Sequence, residues 1–247
     1  MEDDGFTMVT GKKAWKPETT ASSQRYKKVE NGYTRIFGSE EDIDKAMESA
    51  KAAISSSGLV QFLQKRFENL IKAGDSKKIS KIFLIGNGHF DWPGEQGAHQ
   101  FALFLEISRI FDAKIIFQEP ILSDAEAHWI RSQENVEIRE KMDCRIDLID
   151  ENEHVSILAI IHGEHPILNG ILEHNWQMLT KQNRKRLIVI GNNYLGVHWE
   201  MSTWLKSQNT KIDEFVADCE VECFPAVYEP HPHAFRSTAI TSAKNEC

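Results

Sequence analysis

Four short apolar runs in this chain end in residues that could bind a ligand. The first run, Ile82 to Ile85, is followed by Gly86-Asn87-Gly88-His89, and glycine lets a backbone turn tightly and present N–H groups to an anion. Glu119 ends a second run, His162 follows a third, and Gly191-Asn192 ends a fourth. Ligands of open α/β sheets bind beyond the carboxyl ends of the strands, so these residues predict one ligand-binding site.

The first glycine turn partly matches the dinucleotide-binding fingerprint, which requires three glycines spaced as G-x-G-x-x-G. Gly86 and Gly88 supply the first two, but Asp91 stands in the third position. Glu119 occupies the place of a ribose-binding acid, yet it follows Gly88 by 31 residues, against about 20 in the fingerprint. Both a nucleotide cradle and a turn that simply needs glycine are therefore open interpretations.

His162 is the candidate for orienting a ligand or moving a proton, because a neutral histidine offers one donor and one acceptor. The alternative is structural, with His162 hydrogen-bonded to a loop carbonyl so that it holds the turn. The ten histidines and four cysteines show no recognised zinc-ligand spacing, so no metal site is predicted. The sequence has no G-x-S-x-G elbow and no P-loop lysine, which argues against a serine hydrolase and a P-loop kinase.

These candidates need a sheet to bring them together, and the apolar runs supply one. A helix is also predicted from Ser123, where Glu126 gives capping-box spacing, to about Met142. Alternating strands and helices give βαβ units with right-handed crossovers. The fold class is therefore predicted as α/β: a Rossmann-like, mostly parallel sheet with helices on both faces, preceded by N-terminal helices and a flexible extension. The predicted strands are residues 82–86, 114–118, 144–149, 156–161 and 187–191.

The domain boundaries follow from changes in pattern. Residues 1–38 are polar and carry no periodic apolar stripe, which predicts a flexible N-terminal extension. Residues 39–247 are predicted to form the α/β domain, and its first part, residues 39–74, is a helical lead-in. Ser39 and Asp42 give the first helix capping-box spacing.

Composition narrows the possible partners and the location. The formal net charge of −8 over 247 residues argues against direct nucleic-acid binding. No run approaches the roughly 18 apolar residues of a membrane span, so no membrane association is expected. The cysteines form no disulfide framework, and the acidic N-terminus lacks a signal peptide. These features predict an intracellular protein of the cytoplasm or nucleus.

Taken in order over about residues 60–240, the strand ends resemble the sensitivity-to-red-light-reduced family, whose members carry an SRR-like domain. The family's first signature is Tyr-Gly-Ile-Gly-Asn/Ser-Phe followed by Tyr-Gln-Leu-Ala. It reads here as Ile85-Gly86-Asn87-Gly88-His89-Phe90 and then His99-Gln100-Phe101-Ala102. The second signature is Asp-Pro-Val-Phe followed by Glu, and it reads here as Glu119-Pro120-Ile121-Leu122 with Glu126.

Two further signatures follow in the same order. The third, Met-Pro-His-Cys with a later Asn-Trp, reads here as Ile160-Ile161-His162-Gly163 and then Asn175-Trp176. The fourth, Ile-Gly-Asn-Ser-Phe, reads here as Ile190-Gly191-Asn192-Asn193-Tyr194. Gly163 stands where the family usually has Cys, and Glu119 where it has Asp. The chain thus resembles a divergent member that lacks any role of that cysteine.

The resemblance implies an intracellular regulatory protein with a role in circadian-clock regulation or in the control of haem biosynthesis. It would bind a protein partner or a small-molecule ligand at the strand ends, through residues among Gly86 to His89, Glu119, His162, Gly191 and Asn192. The alternatives are a nucleotide-dependent, transferase-like enzyme that uses the same cleft, and a non-catalytic scaffold. Neither a cofactor nor a catalytic residue can be assigned from the sequence, and a non-enzymatic role is the main expectation.

Overall fold

The computed structural model describes residues 26–29, 32–73, 78–149, 154–225 and 228–244. The chain divides into two units, Met1–Phe37 and Gly38–Cys247. In the first unit, β1 (Tyr26–Val29) pairs with β2 (Gly32–Arg35) in antiparallel fashion. This short hairpin was not predicted, and most of the predicted extension at residues 1–38 lies outside the described residues.

The second unit alternates helices and strands, as predicted. Among the described residues, no helix has both the length and the apolar composition needed to cross a membrane. The elements are α1 (Glu40–Ser56), α2 (Leu59–Ala73), β3 (Ile79–Ile85), α3 (Gln96–Phe111), β4 (Lys114–Gln118), α4 (Asp124–Arg131), β5 (Val136–Arg139), β6 (Val155–Ile160), α5 (His165–Asn175), α6 (Lys181–Arg184), β7 (Leu187–Asn192), α7 (Val197–Met201), α8 (Thr203–Gln208), α9 (Thr210–Ala217), β8 (Cys219–Cys223) and β9 (Thr238–Ala243).

The strands of this unit form one seven-stranded sheet in the order β5-β4-β3-β6-β7-β9-β8. The first five are mutually parallel, and β9 is antiparallel to both β7 and β8. The prediction of a Rossmann-like, mostly parallel sheet is therefore confirmed, and four of the five predicted strands correspond to β3, β4, β6 and β7. Strand β9 was missed.

The predicted strand at residues 144–149 is wrong, because this segment is an extended loop. Ile146 and Leu148 are buried, which explains the apolar alternation that suggested a strand. The backbone of the loop is hydrogen-bonded by a side chain instead of by a strand: Asn175 donates to the Ile146 carbonyl at 2.8 Å and accepts from the Leu148 N–H at 3.0 Å.

Strand β5, at the edge of the sheet, is formed by residues that were predicted to be the C-terminal part of a helix. The helix that starts at Ser123 has the predicted capping box with Glu126, but it ends at Arg131 rather than near Met142. Asn135 then has a φ of 62°, in the left-handed region, which a helix cannot continue through. The chain turns there and enters β5, parallel to β4.

Helices cover both faces of the sheet, and alternate strand residues point into two separate cores. One core holds Ile82, Leu84, Ile157 and Ala159 with side chains of α1 to α4. The other holds Phe83, Ile85, Leu158 and Ile160 with side chains of α5 and α9. The first helix has the predicted capping box, in which Ser39 and Asp42 bond each other's backbone N–H groups. This packing fixes where the strand ends lie.

Candidate functional site

The turn after β3 is held by glycine conformations and by Glu119. Gly86 and Gly88 have φ angles of 67° and 73°, which residues with a Cβ rarely adopt. Glu119 is 5% exposed and accepts a hydrogen bond from the Gly88 N–H at 2.7 Å and another from the Ile121 N–H at 3.2 Å. Both carboxylate oxygens therefore bind backbone of this chain, which favours the structural interpretation of the turn over a ribose-binding one.

Glu126 fixes the loop that follows the turn. It is fully buried in the first turn of α4, where Oε1 accepts from the Phe90 N–H at 2.7 Å and Oε2 accepts from the Ser123 N–H at 2.8 Å. Oε2 also lies 2.8 Å from Nδ1 of His89. Burial alone would raise the pKa of Glu126, but the hydrogen bonds from His89, Ser123 and Phe90 outweigh burial and hold the pKa below its usual value.

His89, Asp91 and Glu126 are also the set closest to a metal-binding geometry. Each offers one ligand atom, and these atoms lie within 4.8 Å of one another. Asp91, however, accepts a hydrogen bond from the Gly38 N–H at 2.8 Å, and Glu126 is bonded as just described. A cation would have to compete with these hydrogen bonds, which already account for the cluster as a clamp that ties the loop to the starts of α1 and α4.

The sheet has a topological switch point between β3 and β6. From β3 the chain proceeds to β4 on one side, and from β6 it proceeds to β7 on the other, so the carboxyl ends of β3 and β6 border the crevice where α/β ligands bind. Residues 228–237, between β8 and β9, make hydrogen bonds to both sides of this crevice. We call this segment the strap.

The strap is anchored first to α3 and to the loop before it. The bonds on this side are Tyr228 Oη with His99 Nδ1 at 2.8 Å, His231 Nε2 with the Gly94 carbonyl at 2.8 Å, and Gln100 Nε2 with the Ala234 carbonyl at 2.8 Å. His99 and Gln100 are 5% and 2% exposed. The strap is thus packed onto buried polar groups rather than lying loosely on the surface.

His162 anchors the strap on the other side. Its Nε2 lies 2.8 Å from the Arg236 carbonyl, to which it donates, and its φ is 54°. This is the structural role that the sequence left open, a histidine that holds a turn through a loop carbonyl. His162 is exposed, and its ring also borders two adjoining surface clefts, so a ligand can still contact it.

The predicted site residues fall into two groups. The groups lie on the two sides of the switch point, at the ends of neighbouring parallel strands, and the strap is hydrogen-bonded on both sides. The first group, at β3 and β4, is Gly86, Asn87, Gly88, His89 and Glu119; the second, at β6 and β7, is His162, Gly191 and Asn192.

A cleft of about 410 Å³ lies at the second group. Asn192 shapes its floor by donating to the Gly163 carbonyl at 3.0 Å. Three rings line one wall in edge-on contact, with centroids 5.7 Å apart for His165 and Tyr194, 5.2 Å for His165 and Trp199, and 4.9 Å for Tyr194 and Trp199. The full lining is His162, Gly163, Glu164, His165, Asn192, Asn193, Tyr194, Trp199 and Ser237.

Two of these rings carry polar groups in buried positions. Burial raises the pKa of Tyr194 above its usual value. Trp199 is 3% exposed, and no acceptor for its Nε1–H lies among the described residues. The sequence analysis did not identify His165, Tyr194 or Trp199 as site residues, although each follows a predicted strand end by less than ten positions.

His99, beneath the strap, makes stability depend on pH. Burial, with a smaller contribution from His231, lowers its pKa to about 4, whereas an unfolded histidine has a pKa of about 6.5. Between these values the unfolded chain binds a proton that the folded protein does not, so stability falls as the pH drops through this window. We expect His99 to account for a loss of up to about 3 kcal/mol in the free energy of unfolding between pH 7 and pH 4.

Urea unfolding at several pH values, compared between the wild type and His99→Gln, measures this contribution. The variant should show a flatter pH dependence than the wild type. Equal slopes for His99→Gln and the wild type would contradict the assignment.

Comparison with known proteins gives one sequence match. Residues 59–242 match the family model of the SRR1 domain, which covers the sheet from β3 to β9 and all helices from α2 onward. No curated protein matches the chain.

Several solved structures match this chain at low similarity. A mutant of MtNAS in complex with S-adenosylmethionine is 13% identical, with 83% of this chain and 73% of that chain covered and a TM-score of 0.41. A SAM-dependent methyltransferase from Aquifex aeolicus is 13% identical, with 72% of this chain and 89% of that chain covered and a TM-score of 0.36. The O-methyltransferase NovP is 8% identical, with 92% of this chain and 94% of that chain covered and a TM-score of 0.38. Similarity at this level does not indicate what this chain binds.

Proposed function

This chain belongs to the SRR1 domain family, and from that premise we propose that it is an intracellular regulatory protein that binds a small molecule in the cleft at the carboxyl ends of β6 and β7. A role in circadian-clock regulation or in the control of haem biosynthesis, in the cytoplasm or nucleus, is part of the proposal, because the family resemblance implies it. The regulatory activity of the protein would then depend on whether a ligand occupies the cleft.

The observation that carries the proposal is that the indole N–H of Trp199 has no acceptor among the residues that the structure describes. A buried donor without an acceptor costs about 1–3 kcal/mol, so such groups are rare without a reason. A ligand that accepts a hydrogen bond from Nε1 would remove this cost, provided that its binding moves the side chains that cover this buried atom. The cleft volume of about 410 Å³ lies within the range of small-molecule sites.

The surroundings of Trp199 favour a planar ligand. The rings of His165, Tyr194 and Trp199 form an aromatic wall, and aromatic side chains bind flat molecules by stacking or edge-on contact. Asn192 and Ser237, which also line the cleft, add polar groups that can orient it. The first group of predicted residues supports a nucleotide-dependent enzyme less well, because Glu119 is bonded to the turn and the strap is bonded on both sides of the crevice.

A protein partner is the second candidate, and it has its own support. Leu195, Met201 and Trp204 are 56%, 79% and 69% exposed, and all three lie in the stretch that follows β7. Large apolar side chains that cluster at the surface are typical of sites where proteins interact. A partner that covers this stretch would sit close in sequence to the cleft-lining residues Tyr194 and Trp199.

A thermal-shift panel of nucleotides, S-adenosylmethionine and haem tests the small-molecule proposal. A compound that binds the folded protein raises the melting temperature by linkage. We expect the variant Trp199→Phe, which keeps a ring but removes the N–H, to bind that compound at least about tenfold more weakly, a loss of about 1.4 kcal/mol.

His162→Gln is the matched comparison in the same cleft. Glutamine can still donate to the Arg236 carbonyl, so we expect this variant to keep both its melting temperature and its affinity. Unchanged affinity in Trp199→Phe would remove the main support for the proposal. Lost affinity in His162→Gln with an unchanged melting temperature would instead assign the ligand contact to His162.

A further inference from the structure

A second pocket lies at the opposite edge of the sheet and is lined mainly by cationic side chains. It has a volume of about 220 Å³ and is formed by α6, by the turn between α9 and β8, and by the end of β9. These elements meet at the amino end of β7, whereas the candidate site lies at its carboxyl end. The charged residues in its lining are Lys181, Arg184, Lys185, Lys244 and Asp218.

Arg184 is held rigidly in this pocket. Its Nε donates to the Leu179 carbonyl at 2.9 Å, its Nη1 donates to Asp218 at 2.6 Å, and its guanidinium lies 4.8 Å from the ring centre of Trp176. The side chain is only 12% exposed. A guanidinium has five N–H donors, so the remaining ones are placed in advance for another acceptor.

The lysines add donors that the described residues do not saturate. Lys244 uses one N–H of its ammonium group to bond the Ala217 carbonyl at 2.8 Å, which leaves two. The side chain of Lys185 makes no hydrogen bond or ion pair with any residue in the described part of the chain. Lys181 also lines the pocket.

The pocket is lined mainly by positive charges, whereas the protein as a whole is negatively charged. Among the described lining residues, Arg184, Lys185 and Lys244 meet one carboxylate, that of Asp218, in a chain whose net charge is −8. Like charges held together repel one another, and an anion between them relieves that repulsion. Asp218 is an opposing group, but it is 62% exposed and its oxygen is directed to Arg184.

From this geometry we infer that the pocket binds the phosphate group of a small molecule. The arginine fork matches phosphate oxygens in pairs, and lysines add point charges, which is the combination that phosphate sites use. The volume of about 220 Å³ is below the range of sites for whole drug-sized ligands, so it suits one or two phosphate groups. This site does not depend on the proposed function of the cleft.

Isothermal titration of the full-length protein with inorganic phosphate, and separately with pyrophosphate, tests the inference. Ionic strength is held constant with sodium chloride so that general screening does not contribute. The test variant is Lys185→Gln/Lys244→Gln. The control is Lys65→Gln/Lys72→Gln, which removes the same charge from exposed positions on α2.

We expect saturable binding of at least one of the two anions to the wild type, at least tenfold weaker binding to the test variant, and unchanged binding to the control. Tighter binding of pyrophosphate would identify a diphosphate-bearing molecule, and equal or tighter binding of phosphate a monophosphate. Absence of binding of either anion would overturn the inference, and so would an equal loss in both double variants. Three of the four replaced lysines are exposed and Lys185 is half-buried, so circular dichroism should show the same fold in each variant.

Discussion

Replacement of Gly97 by alanine is expected to remove about 3 kcal/mol or more of folding stability. Gly97 lies in the first turn of α3, and a Cβ there would be 2.3 Å from the His89 carbonyl oxygen and 2.7 Å from that of Asn87. Both atoms belong to the backbone of the turn after β3, so no side-chain rotation relieves the contact. Alanine would gain about 1 kcal/mol of helix propensity, which is too little to offset the clash.

The helix cannot move away, because it is packed into the core. Ala98, Phe101 and Phe104 of α3 are 0% exposed, and a shift of α3 would disturb all three. Urea unfolding followed by circular dichroism measures the loss. Gly88→Ala is the matched control: its φ of 73° is strained for alanine, but no atom lies within 4 Å of the added Cβ, so we expect a cost of only about 1–2 kcal/mol. A smaller effect at Gly97 than at Gly88 would show that the close approach is not rigid.

Glu126→Gln is expected to cost about 3 kcal/mol. The carboxylate accepts hydrogen bonds from the N–H groups of Phe90 and Ser123 and lies against His89. An amide has a single acceptor oxygen, so its NH₂ group must face at least one of these N–H donors. The residue is fully buried, and water cannot take the place of the lost acceptor.

The same variant should also change the response to acid. Because the pKa of Glu126 is lowered in the folded protein, its contribution is present above the ordinary carboxyl pKa of about 4.5 and is lost as the pH falls through the folded value. Glu126→Gln should flatten the stability curve below about pH 4.5, a lower window than that of His99. Asp124→Asn, at an exposed position two residues earlier in the same first turn, should change stability by less than about 1 kcal/mol. Similar losses in the two variants would contradict the clamp.

Local sequence pattern predicted those elements whose form is decided by neighbours along the chain. The strands β3, β4, β6 and β7 were found because each is a continuous apolar run buried on both faces. The capping boxes at Ser39 and Ser123 were found because the partner stands three residues later. Residues 144–149 show the limit of this approach, because burial against Asn175 and α5 gives the same alternation as a strand.

The missed features depend on contacts between distant residues. Strand β9, Thr238–Ala243, is rich in Thr and Ser and has no apolar signature, yet it is buried because β7 and β8 flank it. The strap bonds His99 and Gln100 across 129 and 134 positions. The candidate site residues lie at the ends of β3, β4, β6 and β7, but their division into two groups follows from the order of the strands in the sheet, which no spacing along the chain specifies.

The position of β9 has a consequence for synthesis on the ribosome. Every other strand of the sheet is made before it, yet it lies between β7 and β8, so a nascent chain that reaches only residue 237 cannot join those two strands. Until Thr238–Ala243 emerges, β7 presents a row of unpaired backbone groups, which is the kind of edge that pairs with other chains. Premature termination in the strap would leave the backbone groups of that edge permanently unpaired. We expect such truncated products to aggregate or to bind chaperones rather than to behave as weakly active proteins.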